Sequence, residues 1–129
     1  MSDRPKEVKL SKGRLFFNEH GILEGVPEPY SEMDVPMYLE MIDGIEELCR
    51  GEKHLFMLLG TEGSTMTREA RELDVVERRA KVTKAQAVVV ESLPVKLLAN
   101  FYGRFKKLPY PYKVFDDRES AIEWLLKYQ

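Results

Sequence analysis

The run Ala87-Val88-Val89-Val90, followed within four residues by Ser92 and Pro94, constrains the fold more than any other stretch. Four consecutive small or β-branched apolar residues suit a strand covered on both faces. Ser92 supplies a helix N-cap and Pro94 fits the first helical turn. Leu98, Phe101, Tyr102 and Phe105 then recur at helical spacing, which predicts that this face of the helix lies on the sheet. A buried strand running straight into an amphipathic helix is half of a parallel β-α-β unit.

The remaining segments repeat that logic. Glu7–Leu10 and Gly13–Phe17 flank Ser11-Lys12-Gly13 and read as an antiparallel hairpin, which Gly21–Val26 extends. Asp34 caps a helix whose apolar stripe is Tyr38, Met41, Ile42, Ile45, Leu48 and Cys49, with Gly51 as its stop. Leu55–Leu59 is a second apolar strand. Gly60–Met66 is a loop, and Thr67 caps a helix carrying Ala70 and Leu73 that continues through Val76, Ala80 and Val82, with a kink near Asp74. After Pro109 and Pro111, Tyr112–Phe115 is the last strand. Asp116 and Asp117 cap a final helix, with Glu119 in a capping-box position after Asp116 and with Ala121, Ile122, Leu125 and Tyr128 facing inward. The expected fold class is α/β, in the order β-β-α-β-α-β-α-β-α, with a mainly parallel sheet and an antiparallel N-terminal edge strand. Residues 1–5 are expected to be disordered and 6–129 to form a single domain.

Several function classes are disfavoured. A chain that is 43% hydrophobic and 33% charged is globular. No window is long enough to span a membrane, and the N-terminus lacks an apolar signal core, so a cytoplasmic protein is expected. The one cysteine, Cys49, lies on a helix stripe and reads as a core residue. His20 and His54 stand in a turn and at a strand start, with no recognisable nucleophile arrangement, and Glu46-Glu47 lies on an exposed helix face. No enzyme activity, metal or cofactor is expected.

Segments KAQAVVVESLPVKLLANFYGRF and YPYKVFDDRESAIEWL carry a resemblance. Ala85–Val90, Ala99-Asn100-Phe101, Pro109–Pro111, Val114-Phe115 and Ala121–Leu125, with Thr67–Arg71, resemble an uncharacterised bacterial STAS-like family, related to the domains of anti-sigma-factor antagonists. The likeness covers residues 54–127 well and implies a STAS-like domain that serves as a regulatory or protein-interaction module. Regulatory members carry a phosphorylatable serine in a D-S-S-G pattern at the helix after the second apolar strand. Here Arg68 occupies the serine slot, leaving Ser64, Thr65 and Thr67 as neighbouring candidate acceptors.

Two other sites follow from the residues themselves. Ligands of open α/β sheets collect beyond the carboxyl ends of the strands, where Thr61, Glu62, Ser64, Thr65, Ser92 and Asp116 would converge. The loop GTEGST lacks the endings of phosphate-binding motifs and reads as an ordinary capped loop. Tyr102, Arg104, Lys106, Lys107, Tyr110 and Tyr112 interleave bases and aromatics and form a candidate partner surface. A sequence pI of 5.8 argues against nucleic acid. Charge is uneven: residues 1–67 hold 7 Lys/Arg against 13 Asp/Glu, whereas 68–113 hold 11 against 5. That suits a protein partner or self-association, such as a homodimer. The alternative is a small apolar or lipid-like ligand, suggested by 6 Met, 6 Phe and 6 Tyr and by the lipid carriers among STAS-like folds.

Overall fold

The chain opens with strands β1 (Glu7–Leu10), β2 (Gly13–Phe17) and β3 (Leu23–Pro27), each antiparallel to the one before. A computed structural model describes residues 6–129; the disorder expected for 1–5 lies outside the described residues. Asn18 turns the chain from β2 to β3, its side-chain oxygen accepting from the amides of His20 and Ile22. β3 is a full sheet member that the expected element order omits, and it joins the antiparallel and parallel halves.

Beyond a two-residue strand, β4 (Glu32–Met33), helix α1 (Val35–Cys49) begins. The Asp34 carboxylate accepts from the Met37 amide at 3.0 Å, and left-handed Arg50 ends the helix one residue before Gly51. Strands β5 (His54–Leu59), β7 (Thr83–Val89) and β8 (Tyr112–Phe115) add in parallel, giving the order β1-β2-β3-β5-β7-β8. The short strand β6 (Thr65–Met66) pairs only with β4. The helix expected across 67–82 is two pieces, α2 (Arg68–Glu72) and α3 (Val76–Ala80). Extended backbone at Leu73 breaks them apart.

Strand alternation sends Leu15, Leu23 and Phe56 to one face, where Met37, Met41, Ile42, Ile45 and Leu48 of α1 cover them. Burying one such side chain stabilises by about 1.5–3 kcal/mol. Met57, Ala85, Ala87 and Val89 point to the other face, under helix α5 (Arg118–Leu125). Asp117 alone caps α5, accepting from the Ser120 amide at 2.8 Å. Asp116 instead binds Lys96 at 2.6 Å, so the capping box expected from Asp116 and Glu119 does not form. Tyr128 is exposed on the short 3-10 turn after α5, edge-on to Trp124, rather than inward.

Helix α4 (Leu93–Lys106) departs most from expectation. Ser92 stands at its N-cap without a side-chain cap bond, and none of its residues is fully buried. Phe101 and Phe105, assigned to the sheet-facing side by their spacing, are exposed, and Leu98, assigned with them, lies half exposed along the gap beneath the helix. Tyr102 faces the sheet as its spacing predicts, beside the half-buried Val95 and Ala99. The helix has apolar residues on two faces, and the small Ala99 and Gly103 allow the close approach to the sheet.

Candidate functional site

Helix α4 does not close fully on the sheet, and a cavity of about 310 Å³ lies beneath it. Leu58, Val88 and Val90 form its floor, Val95, Ala99 and Tyr102 of α4 its roof, and Tyr38 and Met41 of α1 one wall. It sits at the carboxyl ends of β5 and β7, where an open α/β sheet collects ligands.

Most of the lining is apolar, and its charged members are cationic. Arg79 and Arg71 line the cavity, and among the described residues no Asp or Glu does. Arg79 is 4% exposed. One Nη2–H donates to Gln86 Oε1 at 2.9 Å, and the guanidinium lies over the Phe56 ring at 4.9 Å. Its Nε–H has no hydrogen-bond acceptor among the described residues. Arg71 reaches in from α2, its Nη1 donating to the Met66 carbonyl at 2.8 Å.

Tyrosines surround these cations. Burial pushes the phenols of Tyr102, Tyr110 and Tyr112 well up. A hydrogen bond with Tyr38 adds to the rise at Tyr102, and the Arg79 charge opposes it at all three. These phenols are therefore neutral hydrogen-bonding groups at physiological pH. Tyr112 donates its hydroxyl proton to the Ala99 carbonyl at 3.0 Å, tying α4 to β8.

The residues expected at the strand ends are only partly brought together. Ser64 and Thr65 line the cavity rim, whereas Glu62, Ser92 and Asp116 are exposed. The Ser64 hydroxyl accepts from the Thr61 amide and donates to the Thr61 carbonyl, so it is held within its own turn. Thr61 donates to the Pro27 carbonyl. The amides of Gly60, Thr61, Ser64, Thr65 and Thr67 all have protein acceptors, which leaves the loop poorly suited to cradle an anion. Thr67 caps α2 by accepting from the Ala70 amide. Arg68 is exposed and pairs with Glu72 at 2.9 Å.

The proposed basic-aromatic surface divides in two. Tyr110 is buried, and Tyr102 and Tyr112 are half-buried against the sheet, so these three do not present a partner surface. Arg104 and Lys107 remain exposed, and Lys106 reaches the Glu72 carbonyl at 3.4 Å. His20 is exposed, and His54 packs its ring 5.0 Å from that of Phe17.

Arg79 and Gln86 were not singled out by sequence. Their signals are present: Arg79 lies three and four residues after Val76 and Val75, on a helix's apolar side, and Gln86 interrupts a strand of alanines and valines.

Comparison with known proteins adds the family and the fold. The model of a family described as Domain of unknown function (DUF7793) matches residues 16–129. Among solved structures, an uncharacterized protein from the DUF3478 family with a SpoIIAA-like fold, from Shewanella loihica PV-4, superposes with a TM-score of 0.62 at 16% identity. The match covers 97% of this chain and 98% of that one. None of the curated proteins compared with the chain matches it. The SpoIIAA-like architecture is the STAS-like one that the motifs pointed to.

Proposed function

We propose that this chain, which belongs to the DUF7793 family and has a SpoIIAA-like fold, is a non-catalytic module that binds a small apolar molecule beneath α4. The observation that carries this reading is the roughly 310 Å³ cavity. It falls at the lower end of the range of ligand pockets, about 300–1,000 Å³. The volume is about ten times the ~30 Å³ share of one liquid water, room for a chain of about ten to twelve heavy atoms. A site at the strand ends, mostly apolar with a few convergent polar groups, fits binding better than bond-making chemistry.

Calorimetric titration with 1-decanol tests the reading. One molecule binds per chain with a negative heat-capacity change, and Ala99→Leu, which fills the roof, weakens binding at least tenfold. Absence of decanol binding, together with a native mass equal to that of the protein alone, overturns it.

A second reading concerns the other side of α4. Leu93, Leu97, Phe101 and Phe105 recur every four residues and are all exposed, from 60% at Leu97 to 71% at Phe105. Phe101 and Phe105 stack at 5.7 Å. Such a stripe suits a partner helix, and a second copy of this chain supplies one of identical length. Light scattering at micromolar concentration tests it: a dimer is expected, and a strict monomer removes the idea.

A further inference from the structure

We infer that the cavity takes an aliphatic carboxylic acid of about ten carbons, with its carboxylate on Arg79 and its chain over Leu58, Val88 and Val90. This rests on the cavity being a binding site and adds the chemistry of the occupant. A guanidinium carries five N–H donors and is always charged. Buried charges are ordinarily paired, since burial without an opposite charge is strongly unfavourable. Arg79 departs from that pattern. Its neighbour Arg78 pairs with both Asp43 and Glu46, whereas none of the described ion pairs includes Arg79.

The wall repeats the imbalance. Among the described residues two arginines and no acid line it, so the space beside Arg79 has a positive potential in a setting that screens weakly. The guanidinium borders the cavity, and its Nη N–H groups beyond the one held by Gln86 match a carboxylate; Nε, closed off inside the protein, takes no part in that contact. The Gln86 amide oxygen holds one Nη2–H and so fixes the plane of the fork. The neutral tyrosine hydroxyls nearby add no competing negative charge.

Paired titrations with decanoate and 1-decanol test the inference on the full chain, with Arg79→Met and Arg79→Lys beside the unaltered protein. Decanoate is expected to bind the unaltered protein at least tenfold more tightly than decanol. Arg79→Met removes that preference while decanol affinity stays within about threefold, and Arg79→Lys restores part of it. Should Arg79→Met fail to fold, the acid-to-alcohol ratio of the unaltered protein decides alone. Equal affinities for acid and alcohol overturn the assignment of Arg79 and leave the apolar site standing. Binding of neither overturns both. Tenfold tighter binding of decyl phosphate than of decanoate overturns the carboxylate head.

Discussion

Gly103 of α4 lies so close to the Tyr112 ring that a β-carbon on it would meet Tyr112 Cδ1 at 2.5 Å. The helix is seated there by the absence of a side chain. Gly103→Ala gains about 0.5–1 kcal/mol of helix propensity, yet it forces apart two packed surfaces at a cost of about 1–3 kcal/mol. The expected outcome is net destabilisation, with the near-ultraviolet tyrosine signal altered and the far-ultraviolet helical signal largely retained. Circular dichroism and a thermal melt of the variant beside the unaltered protein check it.

On the opposite face, Glu24 is 1% exposed and is held by Arg118 and by the Asn18 amide, the latter at 2.8 Å. The pair joins β3 to α5 across 94 residues of chain. Removing one partner of a buried pair typically costs about 3–5 kcal/mol. Because Arg118 retains access to water, Glu24→Ala is expected near the lower end of that range, measured as the shift in urea midpoint.

Arg78 donates two hydrogen bonds to Glu46, at 2.7 and 3.0 Å, and holds its carboxyl below the usual carboxylate range. A carboxyl lowered by folding stabilises fully above its unfolded pKa, ~4.3. The contribution is lost as pH falls through the lowered folded value. Both groups are partly exposed, so the effect is about 0.2–1 kcal/mol at low salt. Glu46→Gln is expected to lose that much at pH 7 and progressively less as pH falls below about 4, and added salt narrows the difference. Thermal melts across pH check it.

Leu97→Ser with Phe101→Ser removes the middle of the exposed stripe. Since neither side chain is buried, monomer stability is expected to change by less than about 0.5 kcal/mol per site. Any dimer seen for the unaltered chain is expected to dissociate at least tenfold more readily. Sedimentation at several concentrations separates these outcomes.

The central strands were legible because their apolar runs are continuous and buried on both faces, and α1 because its apolar residues fall on one face only. Leu15, Phe56 and the run at Val88 have no alternative way to leave water. In α4 the same reasoning selects Leu98, Phe101, Tyr102 and Phe105; Tyr102 does face the sheet and Leu98 edges the cavity, but Phe101 and Phe105 are exposed, and Val95, Ala99 and Gly103 make the close approach. Periodicity identifies an apolar stripe and cannot choose between two of them. Arg79 escaped notice for a related reason: a doublet such as Arg78-Arg79 reads as solvated surface, yet one member pairs with acids outside and the other turns inward. The third strand was visible as an extension of the hairpin, but its parallel partner lies 33 residues further along, at Phe56 opposite Leu23. No local pattern reveals that pairing.

The scarcity of buried side chains on α4 has a kinetic meaning. A segment that hides little from solvent is released at small cost, without melting the sheet or the two helices clamped to it. Amide exchange along 93–106 would then run far ahead of exchange in β5 and β7. Cargo could enter and leave on the timescale of that local opening, with the remainder of the protein acting as a rigid cradle.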